Sequence, residues 1–211
     1  MIESIPTEHF EDVTYRYLQE DRTRETLREM ELDTDGVHEM AAAAGMLDST
    51  AAHGLILDTA FVTRAGPPAK QSRFSDGTIR VFYSALEPQT AAQEAFEWNM
   101  NLVVSGAPGP REAFFMLTAW QFAGEIKDLR PHRAVMLFLT QRDSASTAKC
   151  NEIGAEAATS NLDGLLSPSV AIKPGTCLPV FQRRALPRLE YQRLEKFTLD
   201  PTSGVLGVVP V

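Results

Sequence analysis

Thr78-Ile79-Arg80-Val81-Phe82-Tyr83-Ser84-Ala85-Leu86 alternates in polarity and is rich in β-branched and aromatic residues, and Glu87-Pro88-Gln89-Thr90-Ala91-Ala92-Gln93-Glu94-Ala95 follows it directly. The first stretch reads as a strand, with Val81, Tyr83 and Ala85 on one face and Phe82 and Ser84 on the other. The second reads as a helix that opens at Glu87-Pro88 and carries Ala91, Ala95, Trp98 and Leu102 at helical spacing.

On the N-terminal side, Ala65-Gly66-Pro67-Pro68 forbids regular pairing, because two prolines stand there. Before it, the apolar run Leu55 to Val62 reads as a buried strand. Residues 1 to about 50 read as helical and charged. Arg22 to Leu32 is amphipathic with Leu27, Met30 and Leu32, and Asp33-Thr34-Asp35-Gly36 breaks it. A second segment restarts at Val37 to Leu47, and Asp48-Ser49-Thr50 offers a cap for a further one. On the C-terminal side, Phe114 to Leu129 reads as strand and Ser144 to Thr159 as helix. Ala134 to Leu139 fits either. Asn161-Leu162-Asp163-Gly164 reads as a turn into the strand Leu165-Leu166, with Ser167-Pro168-Ser169 a loop. Pro174-Gly175 reads as a turn, Cys177 to Phe181 as a core strand, and Leu189 to Leu199 as a last or edge strand. Strands and helices mix without regular βαβ alternation, so the expected class is α+β. The expected division is a helical extension over residues 1–53 and a single compact domain over 54–211.

The 211 residues are enough to bury a full core, and 44% apolar with 23% charged residues suits a globular chain. Twenty basic against 28 acidic residues give a net charge of −8, which disfavours nonspecific binding to nucleic acid or anionic membranes. Two cysteines, Cys150 and Cys177, make no disulfide framework, and a reducing cytoplasmic setting is the simple expectation. No signal peptide or membrane-spanning run is apparent.

The chemistry gathers in three places. Arg73 stands in the polar turn Ser72-Arg73-Phe74-Ser75-Asp76-Gly77, where a guanidinium can fork onto phosphate or carboxylate. Ser75 can add a hydroxyl to the same anion, and Gly77 lets backbone approach closely. Tyr83 on the strand is either packing or a platform for a ring. Glu94 shares a helix face with Ala91, Ala95 and Trp98, and a carboxylate on an apolar stripe needs a partner, either a core arginine or a ligand hydroxyl. His9, His38, His53 and His132 show no metal-ligand spacing, and neither do the cysteines, so no metal is expected. There is no Walker loop, no Gly-x-Gly-x-x-Gly and no Gly-x-Ser-x-Gly.

At these residues the chain resembles the RES-domain family, the toxins of bacterial toxin–antitoxin pairs. The likeness is carried by Ser72-Arg73-Phe74-Ser75-Asp76-Gly77, Tyr83-Ser84-Ala85 and Thr90-Ala91-Ala92-Gln93-Glu94, then by Asp163-Gly164-Leu165-Leu166-Ser167-Pro168-Ser169-Val170 and Pro174-Gly175-Thr176-Cys177-Leu178-Pro179-Val180-Phe181. It runs from about Leu55 to Leu186. It implies a fold related to ADP-ribosyltransferase toxins and NAD as substrate, degraded or used to ADP-ribosylate a protein acceptor. It implies that Arg73, Tyr83, Glu94 and Ser169 line the NAD site. Glu94 would stabilise the ribose cation, Arg73 the diphosphate and Tyr83 a ring, with Ser75 beside the anion and Ser169 at the nicotinamide end or ribose. A helix-turn-helix-like antitoxin would be the partner and would leave DNA binding to itself. The chain departs from the family in Ala171-Ile172-Lys173, where many members carry an arginine, in Pro174-Gly175 for a Gly-Gly turn, and in Trp98 for a histidine. Several members also carry an arginine on the first strand, for which Arg64 is nearest. A noncatalytic NAD- or partner-binding protein on the same scaffold is the alternative.

Overall fold

The computed structural model describes residues 2–19, 49–61, 71–103, 111–199 and 206–211. The expected helices at Arg22 to Leu32 and Val37 to Leu47 lie outside the described residues, as does Arg64.

Among the described residues seven strands form one sheet. They are β1 (Glu8–Gln19), β2 (Phe82–Ala85), β3 (Arg111–Asp128), β4 (Gly164–Pro168), β5 (Thr176–Val180), β6 (Arg188–Leu199) and β7 (Leu206–Pro210). The helices are α1 (Ser49–Phe61), α2 (Pro88–Val103), α3 (Arg133–Leu139) and α4 (Ser144–Thr159). Strand order is β1-β2-β5-β4-β3-β6-β7, and β1 also pairs with β3. The pairing therefore closes into a ring of β1, β2, β5, β4 and β3, from which β6 and β7 extend. Closure removes the free edges that an open sheet of these strands would present. The ring is strongest at β1–β3, which pair antiparallel from Glu8↔Ile126 to Gln19↔Phe115. It is weakest at β1–β2, where Tyr15↔Ala85 is the register contact.

Alternation sorts the side chains. Leu18, Phe82, Met116, Trp120, Phe122, Leu178 and Val180 share the inner core with Ala52, Ile56 and Leu57 of α1. The outer face is covered in two places. α2 packs through Ala91, Ala92 and Phe96 on Tyr17, Ala85, Phe115 and Phe197. α3 and α4 pack through Val135, Leu139, Cys150, Ile153 and Ala157 on Leu165 and Phe74.

The loop expected at Ser167-Pro168-Ser169 starts only at Ser169, because Ser167 and Pro168 pair with Cys177 and Thr176 in β4. Two larger expectations are overturned. Residues 8–19 are not helical. They form β1 at the centre of the fold, because they pair along their whole length with β3, with Thr14 and Leu18 buried on one face and Tyr17 on the other. Residues 55–61 are not a strand but the C-terminal part of α1, whose buried Ala52, Ile56 and Leu57 follow a helical repeat. A short apolar run does not by itself separate these states. The helix expected at Ser144 to Thr159 is α4, and the segment Ala134 to Leu139 that fitted either state is helical. Strand β7 was not foreseen. The architecture is a single α+β domain, and β1 belongs to it.

Candidate active site

The centre of the site is built where α2 passes over the ends of β4 and β5. Glu87, just before the helix, accepts from the Thr90 hydroxyl at 2.7 Å and from the Thr176 N–H at 3.1 Å. This ties the first turn of α2 to β5. Gly175 permits the approach: a Cβ there would stand 2.8 Å from Thr90 Oγ1. One turn further along, Glu94 meets the strand ends. Its Oε1 accepts from the Ser169 hydroxyl at 2.6 Å and from the Cys177 thiol at 3.3 Å. Oε2 has no hydrogen bond among the described residues. Within the chain, the partners of this carboxylate on the apolar stripe are a hydroxyl and a thiol rather than an arginine.

Ser169 is fully committed. Its oxygen accepts from the N–H groups of Ala171 at 3.0 Å and Ile172 at 3.1 Å, and its single proton goes to Glu94. Ser169 shapes the Ser169–Gly175 return, closed by Ser169 N–H to Gly175 O at 2.8 Å, and contacts Glu94.

The Arg73 turn forms a second group. The Tyr83 hydroxyl lies 2.6 Å from Ser72 Oγ and accepts from Phe74 N–H at 2.8 Å. Burial, opposed by these bonds, pushes the phenol up to about 12. From α4, Asn151 donates to the carbonyls of Ser72 at 2.8 Å and Arg73 at 2.9 Å. Arg73 Nη2 donates to the carbonyls of Phe138 (3.2 Å), Leu139 and Gln141 (3.4 Å), at the C-terminal end of α3, where a cation is favoured. Its Nε is buried without a hydrogen-bond partner. Ser75, 2% exposed, donates to Ile79 O at 2.7 Å and accepts from Gly77 N–H at 3.0 Å. Its hydroxyl closes the turn rather than facing an anion. Gly77 takes φ 101°, a conformation that favours glycine.

Asp163, of the Asp163-Gly164 motif, is structural. Its carboxylate accepts from Glu125 N–H and Arg184 Nε, each at 2.9 Å, and clasps β3 to the segment after β5.

Two residues escaped sequence reading. Arg142, between α3 and α4, pairs with Glu97 on α2 and donates to Val170 O at 2.8 Å. The bond to Glu97 raises its pKa, and the Glu94 charge adds to the effect. A cation therefore borders the segment where the chain lacks the expected arginine. Arg16 lies on β1. Its guanidinium lies 4.4 Å over the Phe82 ring, Nη1 is buried without a partner, and burial lowers its pKa to about 10. Because Phe82 and Tyr83 face opposite ways, Arg16 sits on the inner side of the ring and Glu94 on the outer. The signal for Arg16 was Val13-Thr14-Tyr15-Arg16-Tyr17, strand-forming residues inside a segment read as helix.

Among the described residues no three His, Cys, Asp or Glu side chains are grouped to hold a metal ion, and no helix is long and apolar enough to cross a membrane.

The two charged groups of the candidate site are thus Glu94, with one oxygen anchored and the other without a hydrogen bond among the described residues, and Arg73 in its turn against α3. A family model, the RES domain, matches residues 46–200. The chain belongs to the RES-domain family, which is associated with NAD-acting enzymes. A comparison with curated proteins finds no match.

Proposed function

We propose that the chain consumes NAD at the nicotinamide–ribose bond, by hydrolysis or by transfer of ADP-ribose to a protein acceptor. The observation that carries the reading is Glu94, anchored through Oε1 and open at Oε2. When the C1′–N bond breaks, its electron pair goes to the nicotinamide nitrogen, which becomes neutral, so no strong general acid is needed. The ribose gains oxocarbenium character, as in glycoside cleavage. Glu94 Oε2 stabilises that charge and holds a ribose hydroxyl, an interaction strongest in the transition state. Water or an acceptor nucleophile then bonds to C1′ and loses its proton. Arg73 supplies positive charge for the diphosphate from its turn, while its Nη2 is held by the carbonyls at the end of α3. Tyr83 holds the Arg73 turn through its hydroxyl and offers its ring to the substrate.

By family likeness the protein is the toxin of a toxin–antitoxin pair held in check by a helix-turn-helix-like antitoxin. Expressed alone, it should lower cellular NAD and release nicotinamide. Glu94→Gln should slow turnover about 10²–10³-fold, the cost of losing one stabiliser of transition-state charge, while the fold persists. Normal NAD together with no ADP-ribosylated protein refutes the enzyme. The internal commitment of Ser169 and of Arg73 Nη2 favours a second reading, a scaffold that binds NAD without turnover. Calorimetry showing NAD binding without nicotinamide release would establish it.

A further inference from the structure

Cys177 lies on β5 opposite Ala85 of β2 and Ser167 of β4. Its thiol and the Ser169 hydroxyl converge on the same oxygen of Glu94, at 3.3 and 2.6 Å. The serine proton has no other destination, since two backbone N–H groups occupy its lone pairs. Two donors on Oε1 stop the carboxylate from rotating and withdraw that oxygen from competition.

We propose that Cys177 is a positioning residue for Glu94: its thiol, together with Ser169, fixes the carboxylate so that Oε2 alone is presented to the reacting ribose. The inference rests on the NAD reading of Glu94. The thiol remains a donor throughout the neutral range, because burial first and the Glu94 charge second raise its pKa well above the usual value. A thiol is a weak donor, so its share is orientation rather than charge. Loss of orientation slows the chemical step without weakening substrate binding, whereas loss of packing disturbs both.

The experiment has two arms. In the first, NAD turnover is measured for Cys177→Ala and Cys177→Ser. Cys177→Ala should lower kcat about threefold to tenfold with KM changed less than about twofold, the scale of one ordinary hydrogen bond from a weak donor. Cys177→Ser, which restores a donor, should recover kcat to within about twofold of wild type. An unchanged kcat in Cys177→Ala, or a serine variant as slow as the alanine one, overturns the proposal. In the second, the native protein is alkylated with iodoacetamide, and the labelling rate of Cys177 is taken relative to Cys150, the other free cysteine, by peptide mass spectrometry. Glu94→Gln should raise that ratio severalfold, since the thiol loses an anionic neighbour. Destabilisation of the whole fold would raise both rates and leave the ratio alone. An unchanged ratio overturns the Cys177–Glu94 contact. The second arm needs no turnover, so a wild type that leaves NAD intact refutes the enzyme reading separately.

Discussion

The turn that carries Arg73 is seated on α4 at Gly154, and a single methyl group tests that seat. A Cβ at residue 154 would lie 1.9 Å from the Phe74 carbonyl oxygen, 2.8 Å from its carbon and 3.1 Å from its Cα. Ordinary carbon–oxygen contact begins at about 3.3 Å, so helix and turn must part by about 1.4 Å. No flexible side chain can absorb this. All three atoms are backbone, Phe74 is 1% exposed, and Asn151 and Tyr83 hold the turn on either side. Overpacking of this kind costs up to about 3 kcal/mol, and alanine returns about 1 kcal/mol of helix propensity. Gly154→Ala should therefore destabilise by about 2 kcal/mol, a fall in Tm of about 4–8 °C for a chain of this size. Gly54→Ala in α1 is the control. A Cβ there meets nothing within 4 Å, so the same change should gain up to about 1 kcal/mol. Calorimetric melts of both variants measure the difference. The displaced turn should also slow NAD turnover, by up to about 10²-fold for an ångström of misplacement. A Gly154→Ala protein that melts at or above wild type and turns over NAD normally would refute the seat.

Tyr83→Phe leaves Phe74 N–H without its acceptor, and Asn151→Ala removes the side-chain donor from the Ser72 and Arg73 carbonyls, of which Ser72 keeps the Ser75 N–H. Each should cost about 1–3 kcal/mol in urea unfolding, and the double variant should cost less than the sum, because both loosen one turn; strict additivity would separate the two supports. At the start of α4, Asp143 accepts from the N–H of Ser146 at 2.9 Å and from its hydroxyl at 2.7 Å, bonds that hold its carboxyl below the ordinary range. A depressed folded pKa means that the contribution is fully present above the unfolded value of about 3.9 and is lost as pH falls through the folded one. Asp143→Asn keeps a cap but cannot titrate. Its deficit in Tm against wild type should be constant from about pH 5 to 7 and shrink below about pH 4; a deficit independent of pH would exclude the charge.

Local pattern alone was enough to place α2, α4, β3 and β5. In each, a long periodic or apolar run is flanked by turn residues, and the tertiary environment agrees with local preference. It was also enough to mark Glu94, since a carboxylate among Ala91 and Ala95 cannot stay buried alone. Where the pattern was short or two-faced it misled. Leu55 to Phe61 is apolar in either state, and only packing against the inner core makes it helix. Glu8–Gln19 is polar at its start and buried on both faces at its end, so neither period stands out until β3 pairs along its whole length.

The sequence by itself determined which residue types the site contains: a guanidinium in a turn, a phenol on a strand, a carboxylate on a helix and a serine after a proline. Only the tertiary structure decided what each one touches. Closure of the ring through β1 and β3 brings the ends of β4 and β5 beneath α2, so that Ser169 and Cys177, 75 and 83 residues from Glu94 along the chain, meet on one oxygen. The same closure puts Arg16 on the inner side of the ring and Arg73 on the outer. Hydrogen-bond partners are chosen by the distances that folding creates, and no local spacing encodes a contact made across the whole chain.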